Sequence, residues 1–149
     1  MENEEFTIRK VESKDLDELL ILLYQLSPLS IEDTVSKENI QAILEKIIND
    51  SNYSICVFEK DGKLLGTGTL LIQMNLSHGG KPYAHIENVV TDMNARGQGI
   101  GGKTIDHLVE IAKQNNCYKV LLNCNKDNTS FYAKHNFRES GEIEMRFKP

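Results

Sequence analysis

No stretch of the 149 residues approaches the run of about 18 apolar residues that a membrane-spanning helix needs. The opening residues, MENEEF, lack the basic and apolar regions of a secretory signal. Basic excess is missing too: 17 Lys and Arg stand against 22 Asp and Glu, a formal net charge of −5. Nucleic-acid binding needs a clustered basic footprint and is not expected, so an anionic ligand has to be held locally. Cysteine is scarce, odd in number and widely spaced: Cys56, Cys117 and Cys124 form no Cys-x-x-Cys pair and have no His in a zinc-ligand rhythm. They read as reduced, mostly structural thiols, and no metal is expected. No repeat, low-complexity tract or linker interrupts the chain. These absences lead to the expectation of a cytoplasmic protein with one domain, residues 1–149, and neither membrane nor nucleic-acid partners.

What is present suffices for a core: 40% of residues are hydrophobic and 26% charged, and a domain of this size buries about 68–70% of its unfolded surface. Residues 1–5 read as frayed, and Phe6 to Arg9 as a short strand. Ser13 stands where an N-cap belongs, before Leu16, Leu19, Leu20 and Leu23, whose spacing draws one apolar stripe on a helix. Ser27-Pro28 stops it. Ile40, Ile43, Leu44, Ile47 and Ile48 mark a second helix. Tyr53 to Glu59 and Leu64 to Asn75 read as strands joined by Asp61-Gly62, a pair suited to the positive φ angles of a tight hairpin. Ala84 to Thr91 is a further strand, Ile105 to Ala112 a helical stripe, Lys119 to Cys124 a strand, Phe131 to His135 a short helix and Ile143 to Lys148 a closing strand. The order is β-α-α-β-β-β-α-β-α-β.

The segment Arg96-Gly97-Gln98-Gly99-Ile100-Gly101-Gly102-Lys103-Thr104 carries four glycines in six residues, between a strand and a helix. Backbone N–H groups exposed at such a junction attract phosphate oxygens. Three patterns fit. Gly97, Gly102, Lys103 and Thr104 match the nucleotide phosphate loop, and Gly97, Gly99 and Gly102 match the dinucleotide fingerprint. The first fold needs a later strand ending in a magnesium-holding Asp, and the second an acidic residue about 20 positions on; both neighbourhoods hold Asn123. Both folds also place the loop in their first strand-helix unit, whereas here it follows the third or fourth strand. The third pattern is the R/Q-x-x-G-x-G/A loop of the GNAT N-acetyltransferases, read here from Arg96 through Gly99 and Gly101. A plain glycine turn opening an amphipathic helix is the bland alternative.

With the loop read in this way, His85 to Met145 resembles one branch of that superfamily, the eukaryotic-type glucosamine 6-phosphate N-acetyltransferases. The resemblance rests on His85-Ile86-Glu87-Asn88-Val89-Val90 before the loop, Asn116-Cys117-Tyr118-Lys119 after the helix, and Asn128 with Phe131-Tyr132-x-Lys134-x-x-Phe137 beyond. It extends loosely to Phe6-Thr7-Ile8-Arg9 and the first helix. It implies an α/β (α+β) GNAT fold, with a central mixed, mostly antiparallel, bulged sheet flanked by helices. It also implies direct attack of an amino-sugar phosphate's amine on acetyl-CoA, and a homodimer that exchanges its C-terminal strand. Such attack needs proximity, an oxyanion donor and proton management rather than a nucleophilic triad.

Carried over residue by residue, the resemblance gives catalytic roles to Tyr132, which meets the departing thiolate, and Glu87, which contacts sugar and amine. Val89, Val90, Arg96, Gly97, Gln98, Gly99, Ile100, Gly101, Gly102, Lys103 and Asn128 join Tyr132 in holding coenzyme A. Ser27, Glu87, Asn88, Asn123 and Lys148 face the acceptor, Lys148 with Arg146 standing where the family has a phosphate-binding arginine. Strict alternation cannot turn both Glu87 and Asn88 into one pocket, so a bulge near Asn88 to Val90 is expected. Relatives often carry acids where Asn88 and Asn123 stand, which shifts recognition of the amine toward Glu87. Asn136 replaces a glycine, a mild change because Asn tolerates a left-handed C-cap. Taken alone, Tyr132 is an ordinary packed tyrosine, whereas Glu87 in an apolar strand is costly to bury without a partner. His85 reads as structural and Cys124 as a core thiol; His107, His135 and Cys56 carry no signal. The alternatives are an acetyltransferase for another small amine or a protein N-terminus, and a non-catalytic coenzyme A-binding module.

Overall fold

The structure, a computed structural model, describes residues 5–28 and 36–149; the frayed terminus expected at the start falls, for residues 1–4, outside them. Strands β1 (Phe6–Lys10), β2 (Tyr53–Lys60), β3 (Lys63–Gln73), β4 (Tyr83–Thr91) and β5 (Lys119–Leu121) form one sheet in the order β1-β2-β3-β4-β5. Every pairing is antiparallel except β4 with β5. A parallel pair needs a crossover, and α3 (Ile100–Gln114) supplies it. The other helices are α1 (Leu16–Leu26), α2 (Lys37–Ile48) and α4 (Thr129–Ala133).

Local chemistry explains the elements. At the β2–β3 turn Asp61 and Gly62 take φ angles of 51° and 73°, as the hairpin required, and Lys60 pairs with Lys63. Ser36 caps α2, its hydroxyl accepting the Asn39 N–H at 3.2 Å. Ser13 is not the N-cap of α1: it opens a 3-10 turn, Ser13–Asp15, that runs into the helix, and its hydroxyl bonds the Glu45 carboxylate of α2. Asp15 stands at the N-cap of α1 without a side-chain bond to that helix; its carboxylate instead accepts the Glu12 N–H at 2.7 Å, closing a capping box on the 3-10 turn.

Helices cover both faces. Leu16, Leu19 and Leu22 of α1 and Leu44 of α2 pack on Ile55, Val57, Leu64 and Val90. Ile105, Leu108 and Ala112 of α3 pack on Cys56, Leu70, Ile72, Ala84 and Ile86. Leu70, Ile105 and Leu108 are fully buried, each contributing about 1.5–3 kcal/mol.

The expected bulge is present. Thr69 pairs with Glu87 and Thr67 with Val90, so Asn88 and Val89 together oppose Gly68. Asn88 takes a left-handed φ of 54°, a conformation that asparagine reaches more readily than most side chains.

Two further expectations need correction. The strand set at Lys119 to Cys124 ends at Leu121, because β4 pairs with it only from Tyr83 to His85 and then bends at the bulge. The closing strand at Ile143 to Lys148 does not form, and residues 138–149 carry no regular structure. A strand requires partners for its N–H and C=O groups; β5, at the sheet edge, offers only three residues.

Candidate active site

Beyond His85 and Leu121 the two parallel strands part, leaving an open cleft of about 360 Å³. Its walls continue the two strands: Ile86 to Val89 on one side, Leu122 to Asn125 on the other. Asn128 and Tyr132 close it from α4 and the turn before it, Leu26 from the end of α1, and Glu144 and Arg146 from the C-terminal tail. Of the expected site residues, Glu87, Asn88, Val89, Asn123, Asn128 and Tyr132 therefore meet in one cleft. The bulge brings Glu87 and Asn88 there together, and both are exposed.

Other expected residues lie elsewhere. The Val90 side chain is buried in the core under α1. Ser27 is the C-cap of α1, its N–H bonded to the Leu23 carbonyl at 2.9 Å, and its neighbour Leu26 reaches the cleft instead. Lys148 is exposed in the tail, while Arg146 lines the cleft and donates from Nε and Nη2 to Glu144 Oε1 at 3.0 and 2.6 Å. Cys124, expected in the core, is exposed and lines the cleft because β5 ends before it. Glu144 carried no signal: its place depends on where an irregular tail folds back. Cys56 is buried in the core under α3, and His85 is partly exposed on β4. Burial pushes the Cys56 thiol up to about 11, and His85 Nε2 is 2.8 Å from Gln73 Oε1.

The glycine loop lies between the end of β4 and α3. The Asp92 N–H bonds the Leu65 carbonyl at 2.8 Å, and Arg96 Nε donates to the Thr91 carbonyl at 3.3 Å. Gly97 and Gly99 have φ angles of 83° and 80°, with nothing within 4 Å of the place a Cβ would occupy. Their open faces stand at the N-terminus of the 15-residue α3, where N–H groups and the helix dipole favour anions. Gly101 and Gly102 face the other way, toward Phe131 and His135. Gln98, Ile100 and Lys103 border a small hollow with Phe6, Phe58 and Lys60, and Lys103 Nζ sits 4.4 Å above the Phe6 ring.

Tyr132 is half-buried, its ring 4.9 Å from that of Phe131 and 6.0 Å from that of Phe137. Burial pushes its phenol above the usual value of 10, and the neighbouring Cys124 adds to the rise. The hydroxyl therefore keeps its proton at neutral pH and is a donor.

A sheet whose parallel strands part beside a glycine-rich helix N-terminus is an acyltransferase architecture, and the sequence profile of the acetyltransferase (GNAT) family matches residues 17–137. The chain belongs to this family and is an acetyl-CoA-dependent acyltransferase. It is 34% identical over 139 residues to the glucosamine 6-phosphate N-acetyltransferase of Trypanosoma brucei brucei, covering 93% of this chain and 92% of that protein. To the enzyme of that name from Arabidopsis thaliana it is 34% identical over 134 residues, 88% of this chain and 89% of the relative. The crystal structure of the Arabidopsis protein aligns with a TM-score of 0.87 at 32% identity, over 97% of this chain and 99% of that one.

The residues fit coenzyme A. The parted strands leave room for an extended pantetheine arm, and the open faces of Gly97 and Gly99 leave backbone N–H groups approachable by a pyrophosphate.

Proposed function

We propose that this chain acetylates the 2-amine of glucosamine 6-phosphate, giving N-acetylglucosamine 6-phosphate and coenzyme A. The observation that carries the reading is the β4 bulge, which sets Glu87 and Asn88 in the same cleft as Tyr132. Relatives of that name, similar over most of the chain, support the acceptor.

Acetyl-CoA supplies a thioester already activated for acyl transfer. Arg96 to Lys103 and Asn128 hold the coenzyme, and the backbone of Val89 and Val90 steadies the thioester arm and its oxygen. Glu87 orients the amine and accepts the proton that nitrogen loses as the N–C bond forms. Tyr132 donates a proton to sulfur as the C–S bond breaks. Positioned proton transfer of this kind contributes about 10²–10⁴-fold. Asn88 and Asn123 contact the sugar, and Lys148 or Arg146 meets its phosphate. Lysine does so as a point charge and arginine as a fork.

The active unit is a homodimer in this reading. The tail from Ile143 to Phe147 alternates apolar and charged residues, and Ile143, Met145 and Phe147 are more than 80% exposed. That is the pattern of a strand without a sheet, and adding it to a partner's β5 edge buries its apolar face. A metabolic reaction on a phosphorylated sugar also fits a cytoplasmic location.

The test is thiol release from acetyl-CoA with glucosamine 6-phosphate, glucosamine and no acceptor in parallel. Release confined to the phosphorylated sugar is expected. Equal rates with both sugars would move the acceptor to another small amine. Coenzyme binding without release would leave only a binding module.

A further inference from the structure

Helix α4 spans five residues, far below the roughly 12–15 at which an isolated helix is even marginal in water. The orientation of Tyr132 on it must therefore be imposed from outside. Tyr132 faces the cleft, while Phe131 and His135, four apart and on one side of the turn, face α3. Phe131 Cζ is 3.4 Å from where a Gly101 Cβ would stand, and His135 Cε1 and Nε2 are each 2.9 Å from the corresponding point on Gly102. The imidazole thus fills a notch that only glycine leaves in the first turn of α3. Its other nitrogen, Nδ1, is 2.8 Å from Asp106 Oδ1, one turn further along α3. An ionised carboxylate only accepts, so Nδ1 carries the proton. The Tyr132 carbonyl receives the N–H groups of His135 at 2.9 Å and Phe137 at 3.2 Å, which ties the Tyr132 backbone to the anchored residue.

We propose that His135 is a positioning residue: locked into the Gly102 notch and bonded to Asp106, it fixes Tyr132 relative to the coenzyme-binding loop. The loop anchors one end of a ligand of fixed length and Tyr132 meets the other, so their spacing sets whether the phenol reaches sulfur. Small misplacements of a reacting group are expensive in rate. The proposal rests on the reading of Tyr132 as proton donor.

The test compares His135→Ala, His135→Asn and Tyr132→Phe, alone and with His135→Ala in the Tyr132→Phe background. For each, kcat, the coenzyme A dissociation constant and the melting temperature are measured. Asparagine places an amide donor near the Nδ1 position and is the conservative replacement. The expected result is about a ten-fold loss of kcat in His135→Ala, a coenzyme dissociation constant within two-fold of the native one, and partial recovery of the rate in His135→Asn, which restores the donor to Asp106 but leaves the Gly102 notch empty. No further loss is expected when His135→Ala is added to Tyr132→Phe. Equal losses in both backgrounds, a loss that follows coenzyme affinity or melting temperature, or an unchanged kcat would overturn the positioning role. Failure of the underlying reading is separately visible: Tyr132→Phe alone would then keep its full rate, and both proposals would fall.

Discussion

Ile86 and Val90 are four residues apart on β4, an even separation, yet they are buried on opposite faces of the sheet: Ile86 under α3, Val90 under α1. One extra residue at the bulge inverts the alternation. Even-numbered positions before it, Ala84 and Ile86, face α3 and the even-numbered Val90 after it faces α1, and the reversal occurs where β4 leaves β5. The same residue thus opens the cleft and keeps both cores filled.

Asn88 is the pivot, and its left-handed φ of 54° predicts how it tolerates change. Asn88→Gly should leave stability within about 0.5 kcal/mol, since glycine adopts this conformation without strain. Asn88→Val should cost about 1–3 kcal/mol, because a β-branched side chain is strained there. Urea unfolding of the two variants checks the contrast.

Tyr132→Phe should lower kcat by at least ten-fold while coenzyme A binding stays nearly intact. Because burial raises the phenol above 10, the native enzyme keeps this proton throughout the neutral range. The variant should therefore lose rate by the same factor at every pH between about 6.5 and 9, well below the ordinary tyrosine value. A pH series of kcat for both forms measures it; a loss that shrinks toward high pH, as the native enzyme gave up its proton, would contradict a phenol that stays protonated.

Much of this site was legible in the chain, for reasons particular residues make plain. Asp61-Gly62 and the glycines after Arg96 announce backbone conformations that few other residues adopt, and Asn136 likewise shows its left-handed φ, 67°. Apolar spacing located α1, α2 and α3, whereas the short helix expected at Phe131 to His135 lies two residues earlier, at Thr129–Ala133. Illegible features depended on contacts between distant segments. Ser13 looked like a cap, but Asp15 accepts the Glu12 N–H at this turn and Glu45 of α2 takes the Ser13 hydroxyl. Cys124 reaches the cleft only because β4 withdraws from β5, and Glu144 only because the tail folds back. His135 is unremarkable in sequence; its meaning lies in Gly102 and Asp106, 33 and 29 positions away.

Gly68 stands opposite the bulge and beneath α3, where a Cβ would come within 2.9 Å of Leu108 Cδ1 and 3.0 Å of Thr104 Cγ2. Leu108 and Thr104 are both buried, so neither moves without displacing its neighbours. Gly68→Ala should destabilise the fold by about 1–3 kcal/mol, the usual cost of overpacking, and calorimetry should register it as a lower melting temperature.

If the tail adds to a partner's sheet, a charge on its apolar side should break the assembly without harming the protomer's own core. Phe147 is 86% exposed in the single chain, so Phe147→Asp should keep the native melting behaviour of a monomer. Its light-scattering mass should fall from about twice the chain mass of 16.9 kDa to that value. A native protein already monomeric at micromolar concentration would remove the dimer from the proposal.

Acid sensitivity should centre on Asp15. Its carboxylate is 5% exposed and accepts Arg9 Nη1 and Nη2 at 2.8 and 2.9 Å besides the Glu12 N–H. The Arg9 hydrogen bonds outweigh the opposing effect of burial and hold Asp15 below the usual carboxylate range. A carboxylate depressed in the folded state stabilises the fold fully above its unfolded value, about 3.9, and loses that contribution as pH falls through the lowered folded value. Native stability should therefore decline on acidification below about pH 4–5. Asp15→Asn should lower stability at neutral pH by about 2 kcal/mol, less than a fully orphaned buried charge costs, because Glu59 still accepts from Arg9 Nε at 2.6 Å. The variant's stability should also vary less with pH in the acid range. Urea titrations at pH 7 and pH 3.5 measure both effects, and parallel acid losses in the two proteins would place the sensitive carboxylate elsewhere.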